Sequence, residues 1–390
     1  MHSSALKSGY MQRLLCFIFL CLAPATAKAE PPHWQKDQIA RLIEWLDAAK
    51  DDGLGPAASE AVTVRDALQT ADTQRLDSVA TAAAVGLLRA HRNGCCNASL
   101  RAGWHIDNGI ALADPLTAVT DAVRLNRLDE LFGSVRPSHP YYYLLRQAFS
   151  READPERRKI LAANLDRWRW MPRMLGDRYL LVNTASFEAS LWEDRTEIGR
   201  WQVIVGKTGS PTPVFSARVT GVILNPWWEI PSSIVSESVG ALVRSRPAEA
   251  ARRGYVVEDG RYRQRPGAAN ALGRMKLVMP NPYSVYLHDT PSQSLFGRDV
   301  RAFSHGCVRV GDALGLATTL LSADAAWDRK RVDAEVAKGL TVKVDLPQPI
   351  PVYLTYFTAE PDRTGGIRYF PDIYKRDKGA KTSDSERCTQ

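Results

Sequence analysis

The chain is poor in long apolar runs. Leu14 to Ala23 is its one sustained hydrophobic stretch, and ten residues fall short of the roughly 20 that a membrane-spanning helix needs. Cysteine is also scarce: six in 390 residues is too few for a fold built on disulfides. No CxxC spacing occurs. Cys95 and Cys96 are direct neighbours, which disfavours both a zinc site and thioredoxin-like redox chemistry. No Lys/Arg stripe interleaved with aromatics is present, so nucleic acid is not an expected partner. No internal repeat is visible. What remains is a globular composition, 45% hydrophobic and 24% charged. That balance supports a sizeable core, arranged as one large domain or as two to three ordinary ones.

The first 29 residues read as an export signal. Lys7 and Arg13 form a basic n-region, Leu14 to Ala23 an apolar core, and Ala27-Lys28-Ala29 a small-x-small cleavage site before Glu30. The alternative is an uncleaved anchor. Bulky Leu20 makes Cys21 a poor lipoprotein site. Cleavage removes Lys7, Arg13 and Lys28 and no acids, so the formal net charge falls from +8 to +5. A mildly basic surface suits anionic partners, and the cell wall is one. Cys95, Cys96, Cys307 and Cys388 remain after cleavage. Exported compartments are usually oxidising, so a free thiol there calls for an explanation. Spacing alone leaves open whether Cys95 or Cys96 pairs with Cys388.

The fold expected is α+β. Residues 30–160 read as a helical domain: Ile39, Leu42, Ile43 and Leu46 recur at helical spacing. So do Leu116, Val119 and Val123, then Leu144, Leu145 and Phe149, while Val79 to Leu88 is Ala/Leu-rich. Residues 161–375 read as β-rich, with strands expected at Tyr179 to Thr184, Trp201 to Val205, Val219 to Leu224 and Ser284 to His288. A helix is expected after residue 310, with Ala313, Leu316, Ala317 and Leu320 on one face. Pro351 to Thr358 and Ile367 to Phe370 suggest a closing hairpin around Gly365-Gly366. Residues 232–274 interrupt the domain with a polar, Arg-rich insertion that reads as a cap over a groove or as surface decoration. Residues 376–390 read as a frayed polar tail.

The chemistry concentrates in Ser304-His305-Gly306-Cys307-Val308-Arg309. A thiolate is the reactive form of cysteine, and positive neighbours favour it. Gly306 permits close backbone approach, and consecutive amides there can face a developing oxyanion. A second segment, Tyr286-Leu287-His288-Asp289, places Tyr286 and His288 on one strand face by alternation. His288 is the expected base. Asp289 should face away from it, so no carboxylate is assigned as a third member.

These two segments together resemble the L,D-transpeptidase (YkuD-type) catalytic domain, which carries a histidine upstream of a Ser/Thr-x-Gly-Cys motif. Asn225-Pro226-Trp227-Trp228-Glu229-Ile230-Pro231, Pro280 to Thr290, Asn164 to Trp170 and Asp372-Ile373-Tyr374 are similar to the large periplasmic branch of that family. The helical first third, with Pro137-Ser138-His139-Pro140-Tyr141 near its end, resembles that branch's scaffold domain. Members of the branch often insert a peptidoglycan-binding module. Leu145 to Leu165 leaves about twenty residues, too few to hold one.

The resemblance implies roles. Cys307 is the nucleophile, His288 the base, and the Gly306 and Cys307 amides an oxyanion hole assisted by the Tyr286 hydroxyl. Arg309 positions the loop or a substrate carboxylate, and His305 orients the loop beside Ser304. Trp227 and Trp228 line the groove or pack in the core. The implied reaction cleaves a tetrapeptide stem after its third residue and passes the Cys307 thioester to a diaminopimelate amine, giving a 3→3 cross-link. No metal or organic cofactor is required. Peptidoglycan synthases are the further partner class. A hydrolase resolving the same thioester with water (an L,D-carboxypeptidase or endopeptidase) is the first alternative, and a non-catalytic wall-binding protein the second. A papain-like protease is disfavoured by the Cys–His order.

Overall fold

A computed structural model of the chain describes residues 31–94, 98–110 and 114–378. The export segment and Cys95, Cys96 and Cys388 lie outside the described residues.

Helices dominate the first part: α1 (Lys36–Ala48), α2 (Gly55–Leu68), α3 (Thr73–Asn93), α4 (Ala98–Arg101), α5 (Pro115–Arg124), α6 (Leu128–Val135), α7 (Pro140–Arg151) and α8 (Pro155–Arg169). Their starts are written locally. Asp114 and Asp154 accept from backbone amides three residues on, at 3.1 and 2.9 Å, and a proline follows each at the first helical position. The periodic residues Ile39, Leu42 and Leu46 are fully buried in one cluster with Val119, Val123 and Phe132.

Among the described residues, ten strands form the main sheet. They are β1 (Trp104–His105), β2 (Arg178–Asn183), β3 (Glu188–Glu193), β4 (Thr196–Gly206), β5 (Val214–Leu224), β9 (Met275–Val278), β10 (Leu287–His288), β11 (Ala302–Ser304), β12 (Val308–Val310) and β13 (Val342–Thr355). The order is β1-β5-β13-β2-β3-β4-β12-β10-β9, with β11 beside β4 and β5 also pairing β9. Helix α12 (Ala313–Leu321) packs Leu316, Ala317 and Leu320 into the sheet core, and α13 (Arg329–Ala337) packs beside it.

Four expectations need correction. The first third is not wholly helical, because β1 joins the sheet in parallel to β5. A boundary at 160 cuts through α8, which shares one core with α7, the strand residues Tyr179 and Tyr353, and Phe357. Pro351 to Thr355 belongs to β13, between β2 and β5; the hairpin is instead β14 (Ala359–Pro361) with β15 (Ile367–Tyr369). The start of the tail is pinned, since Arg167 donates to the Arg376 carbonyl at 3.1 Å and to Asp377 at 2.6 Å.

The insertion has its own fabric. It runs through α9 (Ser232–Ile234), a π-helical turn (Val235–Val239), α10 (Gly240–Ser245) and α11 (Pro247–Arg252). A hairpin of β7 (Tyr255–Glu258) and β8 (Arg261–Gln264) then pairs with β6 (Trp228–Glu229). Trp228, Ile230, Val239 and Leu272 form its small core, against which Tyr286 packs.

Candidate active site

Sheet register builds the site. Strands β10 and β12 run parallel, with Leu287 opposite Val308 and His288 opposite Arg309. Leu287 and Val308 are fully buried in the core. Alternation therefore turns Tyr286, His288, Cys307 and Arg309 to the other face. Antiparallel β9 adds Lys276, the partner of His288. These five residues line one groove of about 790 Å³. Trp227, Trp228, Ser304 and His305 line it too.

The cysteine loop is clamped from below. Ser304, buried, donates to the Cys307 carbonyl and accepts from the Gly306 amide at 3.1 Å. Buried Thr212 donates to the Gly306 carbonyl at 2.8 Å and accepts from the Gly206 amide at 2.9 Å. Gly306 sits at φ +116°, a conformation that L side chains rarely adopt. Its committed amide corrects one expectation: it is not a free oxyanion donor.

The Cys307 thiol points toward the Ser284 carbonyl, 3.9 Å away. Ser284 takes a left-handed backbone at φ +54°. Asn281 braces that loop, donating to the Met279 and Val285 carbonyls at 2.7 Å each. The strand expected at Ser284 is thus a braced turn, and only Leu287–His288 is extended.

His288 is buried, and its Nδ1 lies 2.5 Å from the Asp289 carbonyl oxygen. A carbonyl only accepts, so Nδ1 carries the hydrogen and Nε2 keeps a free lone pair. The group that orients the His288 ring is therefore a backbone carbonyl and not a carboxylate. The Asp289 carboxylate turns away and accepts from the Arg274 amide at 2.8 Å.

Burial lowers the His288 pKa to about 3, helped by Arg309 and Lys276, against the opposing pull of the Asp289 carbonyl. Burial likewise raises the Cys307 thiol above its ordinary value; hydrogen bonding from Tyr286 and the charges of Lys276 and Arg309 oppose this without overcoming it. The cations expected to favour a thiolate are present, but at Cys307 desolvation outweighs them.

The insertion forms one wall. It offers Ser233, Ile234, Ala271 and Leu272 to the groove. Its arginines do not line the groove. Arg246 and Arg253 pair with Glu249 at 2.9 and 2.5 Å. Sequence charge predicted a cationic cap, whereas the cap face is apolar and the groove cations are Lys276 and Arg309. Lys276 was missed because its place depends on register rather than on any motif. One further bond ties the cap to the cysteine loop: Glu237 lies 2.8 Å from His305 Nε2 and 3.7 Å from Lys207 Nζ. Trp228 serves both readings made of it, lining the groove while buried in the cap core. Trp227 lines the groove with Arg263 stacked 4.4 Å from its ring centre.

Comparison with known proteins bears on this groove. Residues 177–344 match the YkuD family model, the L,D-transpeptidase catalytic domain. Residues 26–149 match the Scaffold domain model. A curated Haemophilus influenzae protein named "Putative L,D-transpeptidase" is 32% identical over 238 residues, which is 56% of this chain and 48% of that protein. The chain thus spans about half the length of the curated relative it matches. Among solved structures, an L,D-transpeptidase from Mycobacterium smegmatis overlaps with 11% identity and a TM-score of 0.26, covering 46% of this chain and 58% of that one. One from Mycobacterium tuberculosis overlaps with 16% identity and a TM-score of 0.25, covering 46% and 57%.

Proposed function

Because residues 177–344 match an L,D-transpeptidase catalytic domain model and residues 26–149 a Scaffold domain model, we propose that the chain joins peptidoglycan stem peptides by 3→3 cross-links through a Cys307 thioester. The observation that carries this reading is the shared strand face of Tyr286, His288, Cys307 and Arg309. His288 Nε2 takes the Cys307 proton as sulfur attacks the carbonyl of the third stem residue. The amide C–N bond breaks, and that proton leaves on the amine of D-alanine. A diaminopimelate amine then attacks the thioester, restoring the thiol.

The apolar cap wall supports a second part of the proposal. By excluding water, it favours an amine over hydrolysis. The chemistry belongs where the wall is made, so we place the protein in the periplasm, exported by residues 1–29. Peptidoglycan synthases are the partners that would bring it to growing wall.

The test is incubation of purified protein with tetrapeptide stems, read by intact mass and product analysis. Expected are a tripeptide adduct on Cys307 and cross-linked dimers. Free tripeptide without dimers would move the reading to a hydrolase. Absence of any adduct would overturn it.

A further inference from the structure

Lys276 is a half-buried cation in the groove. Among the described residues no ion pair engages it. Glu229, one acid whose charge it feels, is held by Arg263 at 2.7 Å. Its ammonium lies 3.9 Å from the centre of the Tyr286 ring. Tyr286 is the residue across from the cysteine loop, accepting from the Val308 amide at 3.0 Å. Burial works against the charge on Lys276. A cation left without an acid partner in an apolar-walled groove is costly to the empty protein. An anionic ligand group would repay that cost, more strongly than in water because the local dielectric is low.

We propose that Lys276 is the specificity-determining residue that reads the free C-terminal carboxylate of the donor stem, the carboxylate of the departing D-amino acid. The proposal rests on the acyl-transfer reading above. Position selects this carboxylate. It sits on the carbon directly attached to the scissile nitrogen, closer along the chain to the reacting carbonyl than the carboxylate at the far end of the diaminopimelate side chain. Lys276 stands on β9 and Arg309 on β12, flanking His288 from opposite sides. Arg309 is thereby left for the other side of the donor. The consequence is a requirement for a stem that ends at the scissile residue pair. A stem extended or capped at that carboxylate loses the contact.

The experiment compares a tetrapeptide donor with its C-terminal amide, following Cys307 thioester formation by mass. Wild type should prefer the free acid by about 10- to 100-fold in kcat/KM, the range for a charged hydrogen bond. In Lys276→Met the preference should collapse toward unity, through loss of rate on the acid rather than gain on the amide. Lys276→Arg, which keeps the charge, should retain most of it. Lys276→Gln gives the same reading should the methionine variant fail to fold. Alkylation of Cys307 by neutral iodoacetamide reports an intact groove in each variant. A preference that survives in the neutral variants, or is absent from wild type, overturns the proposal alone. No thioester on wild type with either donor overturns the acyl-transfer reading, and this proposal with it.

Discussion

Two regions of the molecule bury charge, and they do so in opposite ways. Where the helical region meets the sheet domain, Asp52 is buried and surrounded. It accepts from Arg136 at 2.9 Å and from the Tyr142 hydroxyl at 2.7 Å, and Arg146 lies 3.1 Å away. Arg169 donates to the Asp52 carbonyl and pairs with Asp166. Burial works to raise the Asp52 carboxyl, yet His91 and these arginines hold it below the usual carboxylate range. In the groove, Lys276 and Arg309 have no such acids among the described residues. Paired charge at the seam fastens the fold, and unpaired charge in the groove waits for an anion.

The comparison can be broken most severely at the groove's base. His288→Ala should slow Cys307 acylation by roughly 10²–10⁴-fold while leaving the melting temperature nearly unchanged. Stopped acylation with a large loss of stability would mean that His288 is a seam-like residue. At the seam the expected pattern is reversed. Asp52→Ala strands several buried cations and should cost about 3–5 kcal/mol in chemical denaturation, with the acylation rate of the folded fraction preserved. Lys276→Met removes a cation that has no acid partner among the described residues, so it should be neutral or stabilising, by up to about 1 kcal/mol once its partial exposure is allowed for. A destabilised Met variant would show that Lys276 is paired after all.

Acid sharpens the contrast. His91 at the seam, His139 and His288 are all pushed down to about 3, chiefly by burial. The unfolded chain takes up protons at these residues near the ordinary histidine value, and the folded chain does not. Stability should therefore fall as pH drops from about 6.5 toward 3, by at most about 1.4 kcal/mol per unit for each histidine. Thermal melts across that window test this. The groove has its own signature. Because the Cys307 thiol is raised, iodoacetamide labelling should keep accelerating with pH through 8.5. A plateau below pH 7 would indicate a pre-formed thiolate. The smallest effect is expected at the rim. Glu237→Gln weakens the cap's bond to His305 and should raise the tripeptide-to-dimer ratio a few-fold without blocking acylation.

The readable parts of this structure were the local ones. Ile39, Leu42 and Leu46 marked a helix by spacing, and the cysteine motif marked a loop by composition. What escaped was set by partners distant in sequence. Trp104–His105 has no alternation of its own and is extended only because β5 offers an edge. The early part of β13 was obscured by Pro347, Pro349 and Pro351. The ladder tolerates Pro347 and Pro349 because its register shifts between Asp345 and Ile350. The cap was legible as an insertion between site residues, but its charge misled. A count of arginines carries no direction, and Arg246, Arg253 and Arg263 are taken up by Glu249, Glu229 and Glu258.

One small strand has a consequence for how the gene could be dissected. His105 of β1 lies against Tyr283, with ring centres 5.4 Å apart, and Tyr283 lines the groove beside Phe215. The helical region therefore supplies masonry for the pocket as well as its foundation. Cutting the chain at the start of the catalytic match, residue 177, removes the backing of Tyr283, α8 and the cover on the β5 edge in one stroke. A truncated enzyme of that kind would have a bare strand edge open to self-association and a pocket missing a wall. Its kinetics would describe the cut, not the parent.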